Sequence, residues 1–448
     1  MPPLYHPDIY DVSRPVPSYW EDNAPVSQQG FEPLDTDESC DVAIIGGGYT
    51  GLSAALHLAR DYGIQARVLE AGHVGWGASG RNGGFCCMPA TKLSIPELIR
   101  RYGLEETQHF YRAQMEAIDL VRSLGEEEGI DYDKSGEGIL DVADKPSRMQ
   151  GLRQEHDALK KLFGIDSELI DKKKFQQNYF DCAELEGGLL VHAGFGLNPM
   201  KFVGGLGKAA VRRGAVVHGK SPVTGWRKEN GVHHLRTPRG TLTARQVIVA
   251  VNGFIREELN AALDASALPA ISNIIVTRPL SNDELQAHAW RNTSPAVTTK
   301  KLHNYFRLLP DRRFLIGGRG DYHGSAQSGQ AMRAELEARF HELFPNWREV
   351  SVSHFWRGLV CVTRRLSPCI GRLDDDQSVW YGFGYHGNGV CNAPWAGMMI
   401  ARNMAGANRD LAGIPKVMRG LSPSFVFPGL RLWMLRAAYT YYRIKDAL

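Results

Sequence analysis

An α/β fold of two interleaved domains, one built on a parallel sheet and one on a mixed sheet, is predicted from three features of the sequence. A strand, glycine turn, helix and second strand follow one another in DVAIIGGGYTGLSAALHLAR and VLEAG, a second glycine-rich segment comes directly after, and the later chain alternates short strands with helices. In the first feature, apolar Val42 to Ile45 read as a strand, and Leu52, Ala55, Leu56 and Leu58 share one helix face. Gly46 permits the turn, Gly48 lets a pyrophosphate approach the backbone, and Gly51 lets helix and strand pack closely, while helix N–H groups and dipole attract phosphate. A second strand, Arg67 to Leu69, ends at Glu70, 24 residues after Gly46, where a carboxylate can accept hydrogen bonds from an adenosine ribose. A ribose phosphorylated at its 2′ position would be repelled there.

The second glycine segment separates FAD from NAD. Six glycines (Gly72, Gly75, Gly77, Gly80, Gly83, Gly84) fall within thirteen residues, interspersed with Ser79, Arg81 and Asn82. Ordering so many glycines costs backbone entropy that a long ligand can offset. FAD is such a ligand, because its diphosphate, ribityl chain and isoalloxazine all need polar partners on a closely approaching backbone. A flexible linker is the competing reading, but Trp76, Arg81 and Asn82 are poor linker residues.

With these loops the chain resembles the D-amino acid oxidase-like superfamily of FAD-dependent amine oxidoreductases, and within it the gamma-glutamylputrescine oxidoreductase-type proteins. The G-A-S-G-R-N-G-G loop of that type stands here as Gly77 to Gly84. Further pieces follow in family order, among them GGLLVHAGFGLNP (Gly187 to Pro199), RQVIVAVNGF (Arg245 to Phe254), FLIGGR (Phe314 to Arg319), FWRGLVCVTRRLSPCIGR (Phe355 to Arg372) and YGFGYHGNGV (Tyr381 to Val390). The resemblance implies a Rossmann-like FAD-binding domain interleaved with a mixed-sheet, α+β substrate domain, of the D-amino acid oxidase/glutathione reductase-2-like type. It also implies which residues hold noncovalent FAD. These are Gly46, Gly48, Tyr49, Thr50 and Gly51 in the first loop, Glu70 and Ala71 after the second strand, and Gly77, Ala78, Ser79, Arg81, Asn82, Gly83 and Gly84 in the second loop. Val223 is expected against the adenine, Asn252 and Gly253 near the pyrophosphate, and Gly358, Gly387, Asn388, Gly389 and Val390 along the flavin.

Composition fits a large enzyme with a substantial core: 448 residues, 43% hydrophobic, 48 glycines. The balance of 52 basic against 49 acidic residues, net +3, gives no reason to expect nucleic acid as a partner. Seven scattered cysteines without a C-x-x-C pair point to reduced thiols, a cytoplasmic location and no metal site. The opening MPPLYHPDIYDVSRP has no positively charged stretch leading into an apolar core, and no apolar run is long enough to span a membrane.

The expected organisation is discontinuous. Residues 1–40, with Pro2, Pro3, Pro15, Pro17 and Pro25, read as an extended arm that wraps the surface or touches a neighbouring subunit. Residues 41–95, 197–263 and 351–448 form the FAD-binding domain, and 96–196 with 264–350 form the substrate domain. Within the latter, helices are expected at 95–101, 104–128 and 145–163, strands in IIVTRPL, YFRLLP and RFLIGGR, and a helix at 330–344. A helix opens at Pro199, and short strands are expected at 216–218 and 223–227.

The chemistry implied by the resemblance is hydride transfer from a carbon bearing an amine to flavin N5, giving an imine that water hydrolyses. It calls for a neutral amine, a wall that holds the C–H over N5, and positive potential at the flavin pyrimidine edge. The helix ending near Ala405, with Pro394 in its first turn, is expected to aim its N-terminus there. Here the common G-x-S-G-H-G has become Gly384-Tyr385-His386-Gly387-Asn388-Gly389. His386 is read as either a structural residue or a substrate-facing group that titrates near neutral pH. Arg365 stands where relatives carry an acid in T-x-D-x-x-P. Cys361 is read as a buried apolar residue, not a flavin tether. Tyr305, Arg307 and Arg319 are the candidates for substrate contact, an arginine serving to clamp a carboxylate, with His303 and Asn304 beside them. Oxygen or another electron acceptor completes the reaction. A D-amino acid or N-methyl amino acid dehydrogenase using a carrier other than oxygen is the alternative among enzymes, and a non-catalytic flavin-binding scaffold or sensor is the alternative from another class. The basic amphipathic C-terminal segment fits either a membrane or partner surface or docking on the protein itself, and the oligomeric state is left open.

Overall fold

A parallel pairing at the centre of the first sheet sets the position of everything that follows. The computed structural model describes residues 4–24, 30–406 and 410–447, so Pro2, Pro3 and Pro25 lie outside it. Strand Glu38–Ile45 pairs in parallel with Ala66–Leu69 on one side and Thr241–Val249 on the other. The sheet continues outward to Val216–His218 at one edge and through Val379–Phe383 to Cys369–Arg372 at the other. Val42 to Ile45 are buried as a continuous apolar run, as a parallel strand covered on both faces requires. The covering helix Tyr49–Tyr62 packs against the buried helix Gly389–Ala405, and both point their N-termini toward one side of the sheet. The hairpin Gly225–Glu229 and Val232–Arg236 extends this sheet. Its first strand begins two residues later than expected, which leaves Val223 in the preceding loop beside Pro222.

The second sheet runs in the order Val352–Thr363, Ala267–Pro279, Arg313–Arg319, Tyr305–Leu308, Ala296–Thr298, Ile139–Ala143, Gly187–Val191, Ser167–Asp171. Here the structure corrects the expected division at residue 351. Strand Val352–Thr363 pairs antiparallel along Ala267–Pro279, from Thr363 opposite Ala267 to Val352 opposite Thr277. Its 12 residues find a partner of matching length in that 13-residue strand, whereas the longest strand of the first sheet has 9. The three helices of the insertion form at Ile95–Tyr102, Leu104–Glu127 and Pro146–Phe163. The last packs on the second sheet, while the long one packs on Gly389–Ala405 and so ties the two units together.

The N-terminal arm wraps the protein's own surface. Ser18 caps the short helix Tyr19–Asn23, and Trp20, 2% exposed, donates its indole N–H to the Asn82 carbonyl at 2.9 Å. Tyr5 donates to the Pro269 carbonyl at 2.8 Å. At the other end, helix Arg431–Ala447 docks Leu435 and Tyr439 against Leu268 and Ala270. Its outward stripe, Trp433, Tyr441 and Ile444, stays more than half exposed. No helix among the described residues is long and apolar enough to cross a membrane.

Because Trp20 fills a buried site and braces the second glycine loop, Trp20→Ala should lower unfolding free energy by about 3–5 kcal/mol. Denaturant unfolding together with the flavin content of the purified variant checks this. Wild-type stability would show that the arm rests passively on the surface.

Candidate active site

A single cavity of about 960 Å³ runs from Glu70, past both glycine loops, to the inner face of the second sheet. Its first stretch is shaped by what glycine leaves out. At Gly46, φ is +110° and a Cβ would stand 2.7 Å from the Ala250 carbonyl oxygen. A Cβ at Gly51 would stand 2.0 Å from the Gly46 oxygen, so this residue serves helix–strand packing and does not line the cavity. Gly48 begins the helix Tyr49–Tyr62 with no side-chain cap, and the Tyr49 N–H donates to Ser79 Oγ at 3.0 Å. Uncapped N–H groups opening on a cavity are an anion site. The Glu70 carboxylate accepts from the Gly47 and Gly72 N–H groups at 2.7 and 2.8 Å, which fixes it in place while burial raises its pKa. Ala71 and Val223 line the cavity beside it.

The second glycine segment is more regular than a loop, since Ala78–Arg81 make a helical turn that starts, again uncapped, after Gly77. Arg81 is buried and lies over the Trp76 ring at 4.0 Å. It donates to the Trp76 carbonyl at 2.5 Å and the Arg357 carbonyl at 3.2 Å, and burial pulls its pKa down to about 10. Asn82 closes the turn by accepting from the Gly84 N–H at 2.8 Å and donating to the Ala78 and Ser79 carbonyls. Ala78, Ser79, Arg81, Asn82, Gly83 and Gly358 all reach the cavity.

Gly84 does not. A Cβ there would meet the Leu197 oxygen at 2.0 Å and Arg307 Nη2 at 2.6 Å, which corrects the expectation for Arg307. That guanidinium is fully buried beneath the glycine loop. It donates to the Leu197 carbonyl at 2.6 Å and to Ser135 Oγ at 3.3 Å, and does not line the cavity. Arg307 braces the loop instead of clamping a carboxylate.

The third wall is Gly384 to Val390. Asn252, at φ +46°, accepts the Gly384 N–H at 2.9 Å and lines the cavity, whereas Gly253 packs away from it against Leu359 and Pro269. Gly387 at φ +103°, Asn388, Gly389 and Val390 present the uncapped start of Gly389–Ala405 to the cavity, and Asn388 donates to the Pro89 carbonyl at 2.6 Å. Pro394 sits in the second turn of this helix, not the first, because the helix already begins at Gly389. The His386 Nε2 lies 3.3 Å from the Thr363 N–H nitrogen and 3.2 Å from Thr363 Oγ1, and Nδ1 has no partner among the described residues. Burial, reinforced by Lys92 and Arg319, holds the imidazole well below its usual pKa. It therefore does not titrate near neutrality and stands as a neutral imidazole in the cavity wall. Arg365 faces away and donates to the Arg419, Gly420 and Pro368 carbonyls, anchoring the C-terminal segment. Cys361 lines the cavity, with burial raising its thiol pKa.

Tyr305 and Arg319 reach the innermost part. The Tyr305 ring lies where a Cβ at Gly317 would stand 2.1 Å away and one at Gly83 2.9 Å away, and its hydroxyl is 3.0 Å from Ser272 Oγ. Arg319 donates to the His386 carbonyl at 3.3 Å. His303 also lines the cavity, whereas Asn304 is engaged with the Gly317 carbonyl and Arg339. Three further cavity residues carry no motif: Lys92, Asp141 and Glu155. Lys92 has ample accessible surface yet lies deep in the protein, so that surface is cavity wall. Burial and then Arg319 pull its pKa down to about 7.

The family of FAD dependent oxidoreductases (DAO) matches residues 41–403. The chain belongs to this family. It is 29% identical over 428 residues to gamma-glutamylputrescine oxidoreductase of Escherichia coli, covering 93% of this chain and 95% of the relative. It is 30% identical over 439 residues to the probable oxidoreductase OrdL of Haemophilus influenzae, covering 96% and 97%. Among solved structures, L-proline dehydrogenase from P. horikoshii superposes with a TM-score of 0.69 at 19% identity, covering 84% of this chain and 96% of that one. Glycine oxidase from Geobacillus kaustophilus gives 0.67 at 21%, covering 84% and 97%. These two share the fold. The cofactor of DAO oxidoreductases is FAD, and the cavity suits it: a fixed acid at one end, uncapped helix starts along its length, and the unpartnered His386 Nδ1 further in.

Two outcomes follow. Gly46→Ala forces a Cβ into the Ala250 carbonyl at a left-handed φ, so the variant should purify colourless or lose FAD at least tenfold more readily, measured by flavin absorbance after gel filtration. For Lys92, the folded pKa near 7 lies below the ordinary 10.5, so the folded apoprotein binds fewer protons between those values and gains stability as pH rises. Lys92→Met apoprotein should therefore melt above wild type at about pH 6, and the gap should close by about pH 10.5.

Proposed function

We propose that this DAO oxidoreductase oxidises the C–N bond of an amine or amino-acid-like substrate of the gamma-glutamylputrescine type, in the cytoplasm. Bound FAD supplies the acceptor for a hydride from the amine-bearing carbon, and the resulting imine is hydrolysed by water. The observation that carries the reading is the continuity of one cavity from the Glu70 cradle to a pocket walled by Tyr305, Lys92 and Arg319. The similarity to gamma-glutamylputrescine oxidoreductase along nearly the whole chain supports it.

The chain's own residues supply orientation and charge. Tyr305, wedged by Gly317 and Gly83 and tied to Ser272, is a rigid wall for the substrate carbon. With FAD bound, the uncapped start of Gly389–Ala405 would supply positive potential to the part of the cofactor beside it. Lys92, with a pKa near 7, is partly neutral at neutral pH, so it places less positive charge beside an entering amine than an ordinary lysine would.

Anaerobic mixing of the yellow protein with putrescine derivatives, N-methyl amino acids and D-amino acids tests the reading. Bleaching of the flavin absorbance by the putrescine derivatives at concentrations at least tenfold below the amino acids is the expected outcome. Faster bleaching by N-methyl or D-amino acids would move the assignment to an amino acid dehydrogenase or oxidase. No bleaching by any amine would overturn catalysis on C–N bonds. Peroxide formed in air would identify oxygen as the acceptor.

A further inference from the structure

Beyond Tyr305 the cavity extends across the second sheet along one cross-strand row. Gly317 stands opposite Tyr305, Tyr305 opposite Val297, and Val297 opposite Asp141. Directly opposed residues share a face, and strands lie about 4.8 Å apart, so Asp141 is about 10 Å from Tyr305 along the cavity floor. Val297 between them is apolar. Above Asp141, helix Pro146–Phe163 turns Glu155 and Leu159, one turn apart, into the same space, and Ile139, Val191 and Tyr111 close it.

Neither carboxylate has a hydrogen-bond or ion-pair partner among the described residues. Both are enclosed by protein except where they face the cavity. Burial pushes both carboxyls up, and for Asp141 the neighbouring Glu155 adds to it, with no basic group acting against either. Lys92 lies toward Arg319 and Lys301 instead. Two enclosed acids that repel each other are costly unless a cation joins them.

We propose that Asp141 and Glu155 form a distal subsite that binds a second ammonium group of the substrate, so that the enzyme selects amines carrying two cationic nitrogens over monoamines. This rests on the amine-oxidation reading above and names the substrate class for it. The reacting amine sits near Tyr305, the apolar floor at Val297 carries the aliphatic chain, and the far nitrogen meets the paired carboxylates. Because burial and their mutual repulsion favour the protonated form of these carboxyls, a bound dication should displace a proton.

The test uses anaerobic holoenzyme with 1,4-diaminobutane and butylamine, read by calorimetry for binding and by flavin bleaching for reduction. The expected result is diamine binding at least tenfold tighter than monoamine, with proton release shown by dependence of the heat on buffer ionisation. Asp141→Asn and Glu155→Gln, each nearly isosteric and checked for full FAD content, should each weaken diamine binding about tenfold. The limiting bleaching rate should stay within about threefold and the monoamine should be unaffected. Diamine that binds through these residues without reducing the flavin sustains the subsite and overturns the oxidation reading. Diamine that reduces the flavin with equal affinity in wild type and both variants, or no more tightly than butylamine, overturns the subsite.

Discussion

The approach of the Gly46 carbonyl to Gly51 is the contact on which the rest of the molecule depends. With only 2.0 Å between that oxygen and the position of a Cβ, helix Tyr49–Tyr62 lies as close to strand Glu38–Ile45 as two backbones allow. That closeness aims the helix start at the cavity without a side chain in between, and it sets the level against which Gly389–Ala405 packs. The same logic recurs at Gly397, where a Cβ would stand 2.3 Å from the Thr50 oxygen. Two helices thus converge on one cavity because glycine lets each touch its neighbour's backbone. Their N–H groups then do the electrostatic work that a protein otherwise assigns to arginine or lysine.

The cofactor half of the site was legible in the sequence for a physical reason. A phosphate cradle is made of backbone geometry that few residue types permit at fixed intervals, so Gly46, Gly48 and Glu70 carry the design in their order. The inner half of the cavity is made of side chains brought together by packing. Lys92 follows the strand Phe85–Cys86 in an ordinary loop, Asp141 occupies one position of an apolar strand, and Glu155 looks like any charge on a helix with many. Nothing local distinguishes them from solvent-exposed residues. Arg307 failed for the complementary reason. Alternation placed it on the same face as Tyr305, but further along the strand that face is covered by the backbone of Gly84 and Gly196. Strand 352–363 was misassigned because its sequence neighbours lie in one sheet and its hydrogen-bond partner in the other.

Like charges in the cavity wall lie near one another: Arg319 helps to pull the Lys92 pKa down, and Glu155 helps to push the Asp141 carboxyl up. Arginines that might have neutralised the acids are committed elsewhere: Arg307 to the Leu197 carbonyl, Arg365 to the C-terminal segment, and Arg339 to Glu184. A wall that offers opposite charges at different places discriminates among ligands by where they carry charge.

The N-terminal arm carries a consequence for assembly. Trp20 reaches the Asn82 carbonyl and packs edge-on to Trp356, a residue of the strand that closes the second sheet. It can be seated only after both glycine loops and that late strand are in place. Tyr10 and Val12 of the same arm line the cavity, so seating the arm also completes part of its wall.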